Sequence, residues 1–480
     1  MTGSTIAVSS APAGLRDLWV GLDVEVPVVS GGRLPYVNLD NTASTPAFRV
    51  VRDRVDAFLE WYASVHRGAG FKSRVSTEAY EVSREIVRAF VGADADRDRV
   101  VFTKHTTEAI NLLAAAIGPS DTDRIAVSVM EHHSNMLPWR RLGAVDYIET
   151  DADGRLRLDS LEDVLRRGNG RVRLVALTAA SNVTGYVNPV PEAARLAHAF
   201  GARIVIDAAQ LVAHRPIDMR PHDDPAHLDF VVFSGHKIYA PYGSGALVGD
   251  ARVLDGGEPL LAGGGAVQIV TRDTVMWERA PDRDEAGSPN VVGAVALAIA
   301  LQAVAELGFD AVEQIEARLT ERALRGLAAI DGVRVLGSAS PDRLTDRLGV
   351  MSFTVDGMHY GHVAAALSYE WAVGVRDGCF CAHPYLLQLL QVDEATTERA
   401  RRDIEHGDRR GIPGAVRASV APYNTVDEID RFLAGLQAIS RGEMRSTYVQ
   451  DRSTGAFDPV DWKPDWSTAF SVVGAVSEGR

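Results

Sequence analysis

The residue with the clearest chemical potential is a lysine placed where an apolar strand ends. Residues 229–249 form an apolar run that breaks at Ser234-Gly235-His236-Lys237 and continues into a turn rich in glycine and proline. An amine among apolar and uncharged polar neighbours has a lowered pKa, so it can attack a carbonyl and form a Schiff base. Lys237 is a candidate for that chemistry. A surface lysine in a turn is the alternative interpretation of the same stretch.

Other polar residues also follow apolar runs, at positions where predicted strands end. Each has a structural alternative, such as a helix cap for Thr107, a turn former for Asp207 or a solvated loop residue for His132. Because ligands bind at the carboxyl ends of the strands of an open parallel sheet, their recurrence predicts a shared site. The residues are Thr107, His132, Asn182, Asp207, Ser234, His236 and Lys237.

Strands and helices must alternate to bring these residues together, and the sequence predicts such an alternation. Helical patterns span about 48–64 and 76–91, and from Val100 onwards short apolar strands alternate with helical stretches as far as residue 249. This order predicts right-handed βαβ units, and therefore a mostly parallel sheet covered by helices on both faces.

The pattern changes near residue 308, which predicts a second and smaller α+β domain. The predicted organisation is an N-terminal segment at 1–30, a large domain at 31–307, a small domain at 308–445 and a tail at 446–480. The small domain contains an insert at about 385–415, and its charged stretch at 392–411 has a helical composition.

The composition of the chain excludes several functional classes. Lys and Arg total 50 against 64 Asp and Glu, and the net charge of −14 argues against nucleic acid or an anionic membrane as a partner. The N-terminus lacks the pattern of a signal peptide, and the apolar run 291–307 predicts a buried helix rather than a membrane span. With only two cysteines, Cys379 and Cys381, we expect a cytoplasmic protein without a disulfide scaffold.

The chain resembles a known family, the class V aminotransferase-like enzymes that depend on pyridoxal phosphate, and within it the group II cysteine desulfurases and selenocysteine lyases. The resemblance runs from about residue 36 to residue 440. The motifs that carry it, in the family's order, are Leu39-Asp-Asn-Thr-Ala43, Val65-His-Arg-Gly68, Thr106-Thr-Glu-Ala-Ile-Asn111, Met130-Glu-His-His-Ser-Asn135, Ser181-Asn-Val-Thr-Gly185, Asp207-Ala-Ala-Gln210, Phe233-Ser-Gly-His-Lys237, Glu285-Ala-Gly-Ser-Pro-Asn290, Arg376-Asp-Gly-Cys-Phe-Cys-Ala382 and Arg417-Ala-Ser-Val-Ala-Pro-Tyr-Asn424.

The resemblance implies the fold type I of pyridoxal-phosphate-dependent transferases and a role for each residue around the cofactor ring. Lys237 would bind the cofactor covalently and later move protons at the substrate's Cα. Asp207 would keep the pyridine nitrogen protonated, and Gln210 would hydrogen-bond the phenolic oxygen. His132 would stack on the ring.

The resemblance also implies a phosphate site, a carboxylate site and a second subunit. Thr107, at a helix N-terminus, would hold the phosphate together with Ser234 and His236. Ser288 would reach the phosphate of a second subunit, which implies a homodimer. The substrate's carboxylate would be bound by Arg417, with Asn182 and Arg376 close to it.

The segment 375–384 decides the reaction, and there Cys381 matches the cysteine that takes sulfur from L-cysteine and leaves L-alanine in the desulfurases. Selenocysteine cleavage, another C–S lyase reaction or transamination on the same scaffold are alternatives, and so is a cofactor-free binding protein. Asp377 and Cys379 depart from the family's usual residues, and the long spacing from Cys381 to Arg417 leaves open which protein, if any, accepts the sulfur.

The two cysteines have further alternative interpretations. If residues 378–382 are extended, Cys379 and Cys381 point to the same side with Cα atoms about 6.5–7 Å apart, near the outer limit for a disulfide. Two ligands alone make a weak metal site, so we expect no metal. A cation such as Arg376 would favour the reactive thiolate of Cys381. Cys379 is then a bystander or a secondary acceptor of persulfide sulfur.

Overall fold

The structure is a computed structural model that describes residues 14–66, 68–341 and 344–472. The first thirteen residues of the predicted N-terminal segment and the last eight of the tail lie outside the described residues.

Nineteen strands and twelve helices are described. The strands are β1 (Glu25–Pro27), β2 (Arg33–Pro35), β3 (Val37–Asn38), β4 (Asp98–Thr103), β5 (Arg124–Ser128), β6 (Ala144–Ile148), β7 (Val172–Thr178), β8 (Arg203–Asp207), β9 (Phe230–Ser234), β10 (Gly245–Asp250), β11 (Val267–Val270), β12 (Val275–Trp277), β13 (Val333–Val335), β14 (Val350–Val355), β15 (Val373–Gly374), β16 (Arg376–Gly378), β17 (Ala415–Ser419), β18 (Tyr448–Gln450) and β19 (Phe457–Pro459). The helices are α1 (Arg49–Leu59), α2 (Phe71–Phe90), α3 (Thr106–Ile117), α4 (Leu158–Gly168), α5 (Val190–Ala199), α6 (Ala251–Leu254), α7 (Val291–Leu307), α8 (Phe309–Ala328), α9 (Tyr360–Trp371), α10 (His383–Leu390), α11 (Glu394–Glu405) and α12 (Val426–Ser440).

A seven-stranded sheet forms the centre of the molecule, in the order β4-β10-β9-β8-β7-β5-β6. The four neighbouring pairs from β9 to β6 are parallel, and only β10 runs antiparallel to its two neighbours. Every residue of β9 and β10 is buried, because helices cover both faces of the sheet, and such strands carry continuous apolar runs. The mostly parallel sheet predicted from the alternating pattern is confirmed.

Helix α7 is the buried helix predicted at 291–307. It packs against α1 and α2, and ten of its seventeen residues are buried. In the described part of the chain, no single helix has both the length and the apolar composition to cross a membrane. Helices α7 and α8 would satisfy both criteria only together, and they are bent by 76° at their junction.

A second core lies around a four-stranded antiparallel sheet in the order β13-β14-β17-β16. Helices α8, α9 and α12 pack on it through buried residues such as Leu319, Leu367 and Phe432. The N-terminal part of the chain joins this core, since β3 pairs in parallel with β15 and Val37 and Leu39 are fully buried there. A smaller α+β unit is therefore present, and its predicted start at residue 308 stays a prediction.

The insert and the tail pack on the small unit. The charged stretch predicted to be helical contains α11, which exposes most of its length and buries Ala400. In the tail, β18 and β19 form a hairpin on α9, where the ring of Phe457 stacks on His362 with centroids 5.0 Å apart. The buried carboxylate of Glu370 accepts hydrogen bonds from the Arg445 N–H and the Tyr448 hydroxyl.

Candidate active site

The ends of the central strands and the small unit enclose a cavity of about 280 Å³. It brings together eleven of the twelve residues that the sequence predicted for the site, from segments as far apart as α3 and β17. They are Thr107, His132, Asn182, Asp207, Gln210, Ser234, His236, Lys237, Arg376, Cys381 and Arg417. Among other residues of the wall, Thr42, Ala43, His105, Thr106, Ser134, Thr178, Ala209 and Phe380 were not predicted.

Lys237 is the last residue of a turn of 3-10 helix, Gly235–Lys237, which follows β9 directly. This turn needs glycine at its start, because a Cβ on Gly235 would lie 2.8 Å from the Ser244 Oγ. Burial of the amine lowers the pKa of Lys237 to about 8. The positive charge of Arg417 also lowers this pKa, whereas the carboxylate of Asp207 raises it. A larger fraction of this amine is therefore neutral and reactive near pH 7 than of an ordinary lysine.

We expect the apo-protein to take up pyridoxal phosphate faster as the pH rises, with a midpoint near the Lys237 pKa of about 8. Only the neutral amine attacks a carbonyl, and about a tenth of such amines are neutral at pH 7, against about one in several thousand for an ordinary lysine. Stopped-flow absorbance across pH 6–11 measures this rate. A rate that climbs without a plateau up to pH 10.5 would show that the amine is unperturbed.

Asp207 is the last residue of β8 and is only 4% exposed. Its Oδ1 accepts the Ala209 N–H at 3.0 Å. Burial raises the pKa of Asp207, and the nearby Lys237 opposes that rise. A buried carboxylate that faces a cavity is stabilised by a cation there, and a protonated ring nitrogen provides one. Gln210 lies three residues after Asp207, and its Nε2 donates a hydrogen bond to the Thr42 carbonyl at 3.0 Å.

His132 enters the cavity as a neutral ring. Burial lowers its pKa to about 3, and the charge of Lys237 adds to the effect. Its Nδ1 accepts the Ser134 N–H at 3.1 Å, so the proton of the neutral ring is on Nε2. A neutral, oriented imidazole is suited to lie against another flat ring.

The N-terminus of α3 forms an anion site at one end of the cavity. The Ser234 Oγ accepts the Thr106 N–H at 2.8 Å, and the hydroxyls of Thr107 and Ser134 are 2.6 Å apart. Burial lowers the pKa of His236 to about 4, so this ring is neutral and can donate or accept a hydrogen bond. The hydroxyls and the helix dipole at this terminus together favour a phosphate.

The sequence prediction missed His105, which caps α3 and lines the same end of the cavity. Its Nδ1 accepts the Glu108 N–H at 3.2 Å. The available signal was its position directly before Thr106 and Thr107 in the predicted strand-to-helix turn. Histidine is not among the usual capping residues, so composition alone did not reveal it.

These features fit pyridoxal phosphate. The cavity has the Lys237 amine after β9 for the aldehyde, an anion site at the N-terminus of α3 for the phosphate and the buried Asp207 carboxylate at the end of β8 for the ring nitrogen. No group of three or more His, Cys, Asp or Glu side chains that could hold a metal occurs among residues 14–66, 68–341 and 344–472.

Arg417 provides a second anion site beside the amine. It is 3% exposed, and its Nη1 and Nη2 donate to the Asn182 carbonyl at 2.9 Å and to the Asp40 Oδ1 at 3.2 Å. Its buried Nε has no hydrogen-bond partner in the described structure. Burial lowers the pKa of Arg417 to about 10. Asn182 contributes its carbonyl here, whereas the exposed Arg376 lies 3.8 Å from the other Asp40 oxygen.

The loop with the two thiols differs from the extended segment considered in the sequence analysis. The chain turns at Phe380 and Cys381, which both have positive φ (53° and 55°), and the Ala382 N–H donates to the Cys379 carbonyl at 3.0 Å. Two external hydrogen bonds hold this turn. The Asn182 Nδ2 donates to the Phe380 carbonyl, and the His133 N–H donates to the Cys381 carbonyl, each at 2.7 Å. The turn directs Cys381 to the cavity.

Ser288 does not line this cavity. It lies in the loop before α7 and contributes to another cavity together with Lys104, Glu108 and Leu260. The single chain therefore leaves Ser288 apart from the other predicted residues, and its role at the phosphate of a second subunit stays a prediction.

Comparisons with known proteins agree on one family. The aminotransferase class-V family matches residues 37–432. A cysteine desulfurase of Dickeya dadantii is 36% identical over 422 residues, which cover 86% of this chain and 93% of that one. A cysteine desulfurase of Synechococcus elongatus is 34% identical over 85% of this chain, which spans only 61% of that longer relative.

Solved structures show the same similarity. The apo structure of a cysteine desulfurase from Thermococcus onnurineus has a TM-score of 0.74 and 34% identity, covering 85% of this chain and 95% of the other. A cysteine desulfurase from Escherichia coli has a TM-score of 0.73 and 28% identity, covering 90% and 99%.

Proposed function

The chain belongs to the class-V aminotransferase family, and within it to the pyridoxal-phosphate-dependent cysteine desulfurases, and we propose that it converts L-cysteine to L-alanine with its sulfur passing to Cys381. The observation that carries this proposal is the turn that places the Cys381 thiol in the wall of the cavity that also contains Lys237 and Arg417. A transaminase needs no thiol there.

Each residue of the cavity has its own role in the reaction. Lys237 binds the cofactor covalently and holds or gives up a proton at the substrate's Cα, while Asp207 holds the charge of the ring nitrogen. When bound, the cofactor supplies a ring that accepts electrons from the substrate. Arg417 binds the substrate's carboxylate through its Nη2, which donates to Asp40 in the structure, and through its Nε, which has no partner in the described structure.

Cys381 then takes the sulfur. Its thiolate forms a new S–S bond as the bond between the substrate's sulfur and Cβ breaks, and the electron pair of the broken bond stays on the carbon side. Protons taken up there give alanine, and Cys381 keeps the sulfur as a persulfide. One cysteine and one thiol become one alanine and one persulfide, so the step needs no outside oxidant.

Incubation of the holoenzyme with L-cysteine tests the function. We expect alanine in equal amounts with protein-bound persulfide sulfur that enters the chain at Cys381. Pyruvate as the main product would indicate a C–S lyase that eliminates sulfide, and loss of the amino group to a keto acid would indicate an aminotransferase. Selenocysteine as a much better substrate than cysteine would indicate a selenocysteine lyase.

We expect Asp207→Asn to keep the cofactor but to lower kcat by about 10²–10³-fold, because a neutral amide no longer stabilises the charge on the ring nitrogen. The amide has the same shape as the buried carboxylate, so binding through the phosphate and Lys237 survives. Cofactor absorbance and alanine release measure the two effects separately. Near-normal turnover of this variant would remove Asp207 from the role.

We also propose a homodimer in which Ser288 completes the partner's phosphate site. The hairpin of β11 and β12 supports it, because this hairpin exposes apolar side chains such as Ile269 (58%) and Met276 (56%) that an interface would cover. Closed two-fold assembly is the usual way to share such a site.

Sedimentation at assay concentration is expected to give twice the mass of one chain. Ser288→Ala should weaken cofactor binding although Ser288 is outside the cavity of its own chain. A fully active monomer would contradict both expectations.

A cytoplasmic location is a further part of the proposal. Both cysteines are free in the structure, and a persulfide carrier needs a compartment that keeps thiols reduced. Fractionation of the producing cells tests it, and recovery of the protein outside the cytoplasm would contradict it.

A further inference from the structure

The turn around Cys381 holds a second thiol two residues away. Positive φ at both central residues is the geometry of a tight type I′ turn, which residues other than glycine, asparagine and aspartate seldom adopt. Phe380 and Cys381 adopt it here because the hydrogen bonds from Asn182 and His133 fix both of their carbonyls. The turn therefore keeps Cys379 and Cys381 close together, closer than an extended segment would.

The two thiols lie in different surroundings. Cys381 is exposed, whereas Cys379 is half-buried and packs against an apolar cluster that contains Tyr385 and Leu386. Burial raises the pKa of Cys379, and a negative charge on Cys381, two residues further on, raises it further. The Cys381 backbone N–H and the Arg376 guanidinium oppose the rise, so an anion at Cys379 has two stabilising neighbours.

We propose that Cys379 accepts the outer sulfur from the persulfide of Cys381, so that the turn works as a two-thiol relay. This inference rests on the proposed function, because Cys381 must be loaded first. The Cys379 thiolate attacks the outer sulfur and forms a new S–S bond. The bond between that sulfur and Cys381 breaks, its electron pair leaves on the Cys381 sulfur, and the proton given up by Cys379 passes there.

The relay has a chemical consequence for storage. The sulfur moves from an exposed side chain to a half-buried one, where small thiols have less access. Cys381 returns to the thiol state and can react with another substrate. Without an acceptor, one chain then stores two sulfur atoms.

Mass spectrometry of the holoenzyme tests the relay. A few equivalents of L-cysteine are added without reductant or acceptor, the reaction is quenched by alkylation, and trypsin is added. Both thiols fall in one tryptic peptide, residues 377–399, and Phe380 between them lets fragmentation assign each sulfur. We expect a burst of about two alanines per chain in the wild type, with sulfur on both cysteines.

Two variants separate the relay from its alternatives. Cys379→Ser should stop after about one alanine per chain, with sulfur on Cys381. Cys381→Ala should leave Cys379 free of sulfur. Cofactor content and thermal melting of both variants control for folding.

Several results would overturn the relay. Sulfur on Cys379 in Cys381→Ala would mean that Cys379 attacks the substrate directly, and a Cys379–Cys381 disulfide with released sulfide would mean attack on the inner sulfur. A wild type that never exceeds one sulfur, on Cys381, would make Cys379 a bystander. Failure of the proposed function itself looks different, because the wild type would then form neither alanine nor a persulfide.

Discussion

Cys381→Ala is expected to abolish the formation of alanine and persulfide from L-cysteine while leaving cofactor binding intact. The thiol lies in the cavity wall with Lys237 and Arg417, but it is outside the anion site at α3 that would hold the phosphate. Removing one exposed thiol changes neither the buried core nor the ring contacts, so the visible absorbance of the cofactor should remain. Alanine release over the first turnover, measured by rapid quench, gives the size of the loss.

Cys379→Ser is the matched control for this experiment, because it removes a thiol from the same turn and leaves Cys381 in place. We expect it to complete a first turnover. If Cys381→Ala still makes alanine at a rate close to the wild type, the sulfur does not pass through Cys381 and the assignment of this loop is wrong.

Much of the site was predictable because its residues occur at strand ends. The apolar runs that end at Asp207 and Ser234 are long enough to identify buried strands, and the parallel arrangement of β5, β7, β8 and β9 brings their carboxyl ends to one edge. The position of each residue at the end of a strand therefore predicted that it lies in the shared site. The lowered pKa of Lys237 follows from the same arrangement, because the strand end places the amine inside the cavity.

The turn at Phe380 and Cys381 could not be predicted in this way. Neither residue type favours positive φ, and nothing in the local sequence indicates a turn that is held by hydrogen bonds from Asn182 and His133, about 200 and 250 residues earlier. Asn182 illustrates the same limit: it lines the cavity beside Arg417, but its hydrogen bond to the thiol loop was not predicted. Hydrogen bonds between residues far apart in the sequence stabilise this turn. Such contacts leave no periodic pattern in the sequence, so they cannot be predicted from it.

The tail shows a third case. Its sequence from residue 446 lacks a regular period, yet β18 and β19 pack on α9 through Phe457 and Tyr448. Strands of three residues are too short for an alternating pattern to identify, and the apolar face that they cover belongs to a helix almost ninety residues earlier.

Lys237→Ala is expected to lower the rate of alanine formation by at least about 10⁴-fold, because it removes both the covalent link to the cofactor and the base at Cα. The anion site alone can retain the cofactor, but borohydride should no longer fix it to the chain. The wild type should show one reduced adduct per chain. Lys237→Arg keeps the positive charge without the nucleophile, and we expect it to lose the adduct as well.

The four lysines of the chain make this measurement decisive. Lys72, Lys104 and Lys463 are exposed, whereas the Lys237 amine lies inside the cavity, where burial lowers its pKa. Peptide mapping after borohydride treatment should therefore find the adduct on Lys237 alone. An adduct on one of the exposed lysines, with Lys237→Ala still active, would mean that the cavity does not bind the cofactor in the way its residues indicate.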